Sequence, residues 1–302
     1  MNMARNLNAE ITNRILEQLK AGTVPWRKPW SEQASGAMPR NAVSGRAYSG
    51  VNVILLWATA QERSYSSPGW LTFKQALEAG GNVRKGEKGT TVIFVSTFER
   101  QNKETGKLEN IPFLKSFSVF NVCQCENLPD NLSPPVQIIN QDRREELADE
   151  FMTATGADIR HGEGRAYFRP SGDFINLPHF ETFTAAGTYY ATAFHELTHW
   201  TGAEARLDRK IHNRFGDAGY SAEELVAELG SAFLCAEFGF DNEGQDAAYI
   251  AHWITFLTDH EGAIVAAASA ASKATEYLRG LAEVWTAEAA EHGSVPRELE
   301  AA

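Results

Sequence analysis

The chain has 302 residues, of which 43% are hydrophobic and 22% charged, a composition typical of a folded globular protein long enough for two domains. The sequence contains neither an N-terminal apolar leader nor a run of about 18 apolar residues, which argues against a secretory or membrane-spanning protein and favours the cytoplasm. Three cysteines cannot form a disulfide framework. Cys123 and Cys125 are interpreted as small residues ending a strand, because no second cysteine pair accompanies them.

The two halves of the chain carry opposite charge. Residues 1–126 contain 16 Lys and Arg against 10 Asp and Glu, a net charge of +6, and the remainder contains 12 against 29, a net charge of −17. We therefore expect the basic half to face an anionic partner. The acidity of the other half argues against a second nucleic-acid surface there.

The N-terminal half, residues 1–126, is predicted to be an α+β domain. Apolar residues recur at helical spacing over Glu10–Leu19 and again near Gly50–Arg63. Thr72 and Gln75 form the capping box of a short third helix. The β-rich runs TTVIFVSTFER and LKSFSVFNVCQC flank a polar segment, and they predict a hairpin.

The segment 127–141, NLPDNLSPPVQIINQ, is predicted to be a linker because it combines three prolines with almost no charge. The second domain, 142–302, is predicted to be mainly helical with a small antiparallel sheet. Its first helix is closed by Gly156, and two short strands follow, Ala166–Phe168 and Phe174–Leu177. The remaining helices are predicted over about 184–200, from Ser221, and as a packing pair over about 246–290.

The stretch ATAFHELTHWTG, Ala191–Gly202, has the pattern of a metal site. On a helix, His195 and His199 lie one above the other on one face, so both imidazoles can bind one ion. Glu196 is turned about 100° from His195 and can reach a water at an open coordination position. These three residues predict a metallopeptidase centre in which Glu196 is the general base.

The third ligand is less constrained by the sequence. A metzincin would have a histidine at the position of Ala205, so that class is excluded. Glu224 is the favoured ligand, and His212, Glu223 and Glu228 are the alternatives.

Residues near Glu224 have further interpretations. Ser221 and Glu224 also fit a helix capping box, which needs no metal. Glu228 is expected to hydrogen-bond a ligand histidine, beside small residues that allow close helix packing. Tyr220 is a weaker candidate for stabilising a developing oxyanion.

The sequence motifs together resemble the antirestriction protein ArdC family and the N-terminal region of TraC-type plasmid primases. The matching stretches are VPWRKPW, GWLTFKQALEAGGNVRKGEKGT, FSVFNVCQC, HELTHWTG and SAEELVAELGSAFL. The resemblance implies an N-terminal domain that binds single-stranded DNA and a C-terminal zincin-like metallopeptidase domain. It also implies a setting on conjugative plasmids, where such a protein protects incoming DNA from restriction.

The residues of the basic half support nucleic-acid binding independently of the resemblance, since single-strand binders combine cations with exposed aromatic rings. Trp57 and Trp70 are interpreted as core residues, because each lies among apolar neighbours. The predicted DNA-contacting residues are Trp26, Arg27, Lys28, Trp30, Arg40, Arg46, Tyr48, Arg84, Lys85 and Lys88.

These observations lead to one main hypothesis and one alternative. In the main hypothesis the protein binds single-stranded DNA and cleaves an unidentified protein substrate or restriction component at a Zn²⁺ site, with Mn²⁺ as another possible metal. In the alternative the metal is structural, and the protein protects DNA by covering it.

Overall fold

The computed structural model describes residues 6–26, 38–101, 108–132, 140–209, 218–241 and 247–291. Helices and short strands are mixed in both halves, so the predicted α+β class is confirmed. The N-terminal half contains helices α1 (Leu7–Lys20), α2 (Val51–Glu62) and α3 (Phe73–Glu78), and strands β1 (Arg40–Asn41), β2 (Gly69–Leu71), β3 (Asn82–Val83), β4 (Thr90–Gln101), β5 (Leu108–Asn121) and β6 (Cys125–Glu126).

Four of these strands form one sheet, in the order β1-β2-β5-β4, with β4 and β5 paired as the predicted antiparallel hairpin. The capping box of α3 is also present, since Thr72 and Gln75 each bond the other's backbone. At the edge of the sheet, the Asn52 side chain of α2 bonds both the N–H and the carbonyl of Ile93 in β4, each at 2.8 Å. This pair of bonds holds α2 against an edge that would otherwise present open backbone groups.

The C-terminal half is mainly helical, as predicted. It contains α4 (Gln141–Ala154), β7 (Asp158–His161), β8 (Tyr167–Arg169), β9 (Phe174–Leu177), α5 (Ala186–Thr201), α6 (Ala218–Phe238), α7 (Ala247–Asp259) and α8 (Ala263–Glu291). The predicted antiparallel pair is β8 with β9, but β7 adds a strand parallel to β9, so the sheet is mixed rather than antiparallel. The sequence DIRH of β7 is short and polar, and it lacks the apolar pattern by which strands are predicted.

The two halves share a hydrophobic core. Buried residues of α1 and α2, such as Ile15 and Trp57, pack in one cluster with residues of α6, α7 and α8. The Trp57 ring meets Phe233 of α6 edge-on at 5.8 Å, and Trp70 is 1% exposed, so both predicted core tryptophans are confirmed. Burying a large apolar side chain contributes roughly 1.5–3 kcal/mol, so this junction stabilises both halves together.

The segment between the halves is only partly described, because residues 133–139 of the predicted linker lie outside the described ranges. The boundaries 1–126, 127–141 and 142–302 remain a prediction. Among the described helices, none combines the length and the apolar character needed to cross a bilayer.

Helices α5 and α6 approach each other closely at Gly230, as the small residues of α6 predict. A Cβ added to Gly230 would overlap the buried Thr198 side chain of α5 and lie 2.6 Å from its Cγ2. We expect Gly230→Ala to lower the free energy of unfolding by about 1–3 kcal/mol, because the two helices must separate. Chemical denaturation measures this change.

Gly280 is the matched control for that substitution, since it lies in α8 with no atom within 4 Å of an added Cβ. Gly280→Ala should raise stability by about 0.5–1 kcal/mol through helix propensity alone. A Gly230→Ala protein as stable as the Gly280→Ala protein would contradict the close approach.

Candidate functional site

The motif histidines lie on α5, on the face that packs against α6. The Nε2 atoms of His195 and His199 are 3.1 Å apart. Glu224 of α6 reaches between them, with one carboxylate oxygen 3.4 Å from His195 Nε2 and the other 3.5 Å from His199 Nε2. Among the described residues, these three form the group of His, Cys and acidic side chains able to hold a metal ion.

The spacing of the three donors fits a tetrahedral metal ion. Ligand atoms at about 2.0–2.1 Å from a tetrahedral centre are about 3.3 Å from one another. The two histidine nitrogens are 3.1 Å apart, and each lies 3.4 or 3.5 Å from a different oxygen of Glu224, so each of these contacts is close to that value. Three protein ligands leave one position for water or substrate, which is the arrangement of catalytic zinc sites.

The competing interpretation of Glu224 as a helix cap does not hold. Helix α6 is already formed at Ala218, so Ser221 lies inside the helix and cannot be its N-cap. Glu224 therefore stays the predicted third ligand, and its carboxylate faces both histidines. His212, one alternative, lies outside the described residues.

Two acids of α6 lie beside the Nδ1 atoms of the motif histidines, the predicted Glu228 and also Glu223. Glu223 Oε1 lies 3.2 Å from His199 Nδ1, within hydrogen-bond distance. Glu228 Oε1 lies 3.8 Å from His195 Nδ1, too far for a hydrogen bond. The role of Glu228 beside a ligand histidine stays a prediction, because its carboxylate faces His195 Nδ1 without reaching hydrogen-bond distance.

Glu223 is itself held by Arg209. The guanidinium bonds both carboxylate oxygens, at 2.7 and 3.0 Å, and also the Thr198 carbonyl and the Thr201 hydroxyl of α5. Because both carboxylate oxygens of Glu223 accept hydrogen bonds from Arg209, the carboxylate is held in its orientation toward His199. The sequence carried no signal for Arg209, because the loop that bears it folds back on α5 only in the tertiary structure.

Charge in the site is balanced between the histidines and the acids. Burial lowers the pKa of His199, but hydrogen bonds with Glu223 and Glu224 outweigh burial and raise that pKa to about 10. Burial raises the pKa of Glu224, yet hydrogen bonds from His195 and His199 bring it below its usual range. Without a metal, the site therefore holds a proton on His199 and a negative charge on Glu224.

We expect metal affinity to rise with pH for this reason. A ligand imidazole must be neutral, so a metal ion displaces the His199 proton at any pH below about 10. The apparent affinity for Zn²⁺ should increase about tenfold per unit between about pH 6 and pH 8. Calorimetric titration in buffers of different ionisation enthalpy counts the protons released. An affinity independent of pH would contradict the protonated His199.

The predicted general base, Glu196, is 8% exposed and follows His195 on α5. The negative charge of Glu196 contributes to the raised pKa of both His199 and Tyr220, so the three side chains lie close together around the metal site. Burial and the adjacent Glu224 carboxylate raise the pKa of Tyr220 to about 12. The Tyr220 hydroxyl, which is a hydrogen-bond donor at neutral pH, therefore lies beside the Glu224 carboxylate.

One predicted nucleic-acid contact was wrong. Trp26 is 1% exposed and lies in the shared core beside Tyr249 and Trp253 of α7. A buried indole has no face on which a base can stack, so Trp26 anchors the chain against the C-terminal half. The neighbouring predicted contacts lie outside the described residues, namely Arg27, Lys28 and Trp30.

The remaining predicted contacts fall into two places. Arg40, Arg46 and Tyr48 lie on β1 and the loop that follows it, with Arg46 exposed and Tyr48 partly buried. In the loop between β3 and β4, Lys85 and Lys88 are exposed.

Arg84, from that same loop, makes hydrogen bonds within the protein. Its guanidinium bonds the carbonyls of Cys123 and Cys125 and the carboxylate of Glu87. These contacts hold the loop against the segment after β5, which leaves Arg84 less able to bind phosphate.

Comparison with known proteins defines the class of each half. The C-terminal half matches the zincin-like metallopeptidase family over residues 146–270. The N-terminal half matches the N-terminal domain of the anti-restriction factor ArdC over residues 5–120. The chain thus combines an ArdC-type N-terminal domain with a zincin-like metallopeptidase domain.

Solved structures establish the family. The metal-free crystal structure of the antirestriction ArdC protein from plasmid R388 is 43% identical to this chain, with a TM-score of 0.78, and the match covers 93% of this chain and 99% of that one. The Mn(II)-bound structure of the R388 protein matches with 43% identity and a TM-score of 0.76, over 92% and 98% of the two chains. The protein belongs to the antirestriction ArdC family.

Two further kinds of relative are similar in sequence. A DNA primase TraC from Escherichia coli is 40% identical over 291 residues, which are 89% of this chain but 26% of the primase. The chain thus spans about a quarter of that relative. The uncharacterized protein y4eC of Sinorhizobium fredii (strain NBRC 101917 / NGR234) is 37% identical over 279 residues, 89% of this chain and 90% of y4eC.

Proposed function

We propose that this protein binds single-stranded DNA and hydrolyses a peptide bond at a divalent-metal site, and that it thereby protects incoming plasmid DNA from restriction. The observation that carries the catalytic part is the cluster of donor groups from His195, His199 and Glu224, in which the two imidazole nitrogens are 3.1 Å apart and the two carboxylate oxygens lie 3.4 and 3.5 Å from them. Its size fits one tetrahedral ion with an open position.

The residues around these donor groups support hydrolysis. When bound, the metal ion polarises the scissile carbonyl and makes a water more acidic. Glu196 accepts the proton of the attacking water and returns it to the leaving amine. Tyr220, a protonated phenol beside Glu224, donates a hydrogen bond to the oxygen that gains negative charge.

Zn²⁺ is the proposed metal, because two histidines and one glutamate are a common zinc ligand set. The Mn(II)-bound form of the R388 relative supports a divalent ion, and it makes Mn²⁺ the second candidate. Glu223, held by Arg209, would keep the His199 ring oriented toward either ion.

Binding of single-stranded DNA is proposed for the N-terminal half. Its net charge of +6 in an otherwise acidic chain attracts a polyanion. The match to the N-terminal domain of ArdC and the similarity to TraC primases support DNA as that polyanion. Bringing a peptidase to DNA would direct it to proteins that act on the same DNA.

A plasmid transfer assay tests the proposed function. Transfer of a plasmid that encodes this chain is compared with transfer of the same plasmid lacking it, into hosts with and without a restriction system. We expect the chain to raise transfer only into the restricting host. Transfer into the restricting host that is equally low with and without the chain would contradict the antirestriction role.

A further inference from the structure

A groove at the junction of the two halves has the features of a binding site. It encloses about 580 Å³ between the loop after β1, the edge strand β4 and helix α8. Arg46 and Tyr48 line it from the loop, Phe94 from β4, and Lys273 from α8. The site therefore draws on both halves of the chain, including the acidic one.

One of the lining residues, Phe94, forms a pair of exposed aromatic rings with Phe117 of β5, which is not itself among the lining residues. Phe94 is 45% exposed and Phe117 48% exposed, and their ring centroids lie 5.3 Å apart in an edge-to-face arrangement. The register of β4 and β5 puts them on the same face of the sheet, since Val92 pairs with Phe117 and Phe94 with Lys115. Rings left in water on one face of a strand pair are available to stack on bases.

The charged residues of the groove favour an anion. Arg46 and Lys273 are exposed, and within the described part of the chain neither makes an ion pair. One carboxylate, Glu276, also lines the groove and opposes these cations. Two cations against one acid leave a net positive groove, which contrasts with the negative charge of the C-terminal half as a whole.

The loop that bears Arg46 is fixed to the helix that bears Lys273. The backbone N–H of Gly50 donates to the Ser272 hydroxyl at 2.7 Å. The cations thus sit on elements joined directly to each other, and the groove is preformed rather than assembled by a ligand.

We propose that this groove is the path of single-stranded DNA, with its bases on Phe94 and Phe117 and its phosphates at Arg46 and Lys273. The inference rests on the proposed function and adds to it a path that crosses onto the metallopeptidase half. It also gives a role to Tyr48, whose partly buried side chain lines the groove together with Phe94. Unpaired bases are required, because stacking on the two rings needs free base faces.

Fluorescence anisotropy with a labelled oligothymidylate of about 12 nucleotides tests the groove in the full chain. Phe94→Ala should weaken binding about tenfold and leave its salt dependence unchanged, whereas Phe94→Trp should retain binding. Lys273→Ala should reduce the slope of log affinity against log salt by about 0.7, the value for one phosphate contact. Glu276→Gln should strengthen binding, because it removes the opposing charge.

Lys20→Ala is the matched control, since Lys20 is exposed on α1 and lies outside the groove. Its affinity and salt slope should equal those of the wild type, and thermal melting verifies that each variant is folded. Wild-type binding that survives Phe94→Ala and Lys273→Ala would overturn the groove but keep the proposed function. Failure of the wild type to bind the oligonucleotide would overturn both.

Discussion

Glu224→Ala is expected to lower the affinity of the protein for Zn²⁺ by about 100-fold or more. A structural zinc site of four ligands binds with roughly 10–16 kcal/mol, or about 3 kcal/mol per ligand, which corresponds to about 100-fold. The two oxygens of the Glu224 carboxylate lie 3.4 and 3.5 Å from the two histidines, so its loss removes one of the three donor groups. Competition with a chromophoric chelator measures the affinity.

The neighbouring acids give a graded comparison. Glu223→Ala should cost about 10–100-fold, because it removes the hydrogen bond that orients His199. Glu228→Ala should cost less, since Glu228 is 3.8 Å from His195 Nδ1. His212→Ala should leave the affinity unchanged. A larger loss for Glu228→Ala or His212→Ala than for Glu224→Ala would show that the third ligand is misassigned.

Glu196→Gln is expected to abolish peptide hydrolysis while metal and DNA binding persist. General-base catalysis contributes about 10²–10⁴-fold, and an amide cannot accept the proton of the attacking water. Glu196 is not one of the three predicted ligands, His195, His199 and Glu224, so the substitution leaves all three in place. Hydrolysis of a quenched-fluorescent peptide library measures the activity, and the chelator assay measures the metal affinity.

Glu163→Gln is the control for that substitution, because Glu163 is exposed in the connection between β7 and β8. The plasmid transfer assay then separates catalysis from simple covering of the DNA. If catalysis protects the plasmid, Glu196→Gln loses protection and Glu163→Gln retains it. Protection that survives Glu196→Gln would favour a protein that only covers DNA. Loss of metal from Glu196→Gln would contradict the general-base assignment.

The metal motif was predictable because its geometry is local. Residues four apart on a helix share a face whatever the rest of the chain does, so His195 and His199 come together as soon as α5 forms. The main helices were predictable for the same reason, since their apolar spacing is a local pattern. The polar strand β7 was missed because parallel pairing with β9 depends on a distant partner.

The choice among the acids of α6 required the tertiary structure. Glu223 and Glu224 differ by about 100° around the helix, so the sequence could favour Glu224 but left Glu223 and Glu228 open until the rotation of α6 against α5 was known. That rotation follows from the packing of α6 on α5, where Gly230 lies against Thr198. The same packing leaves Glu228 out of hydrogen-bond reach of His195.

The nucleic-acid residues show the same division between local and long-range information. The net charge of +6 on the basic half, and the tryptophans that interleave with its cations, follow from the amino-acid sequence alone. The burial of Trp26 against α7 and the exposure of Phe94 in a groove with Lys273 of the acidic half depend on the packing of distant elements and became visible in the fold alone. Charge and helical spacing are properties of neighbouring residues, whereas exposure depends on how distant elements pack.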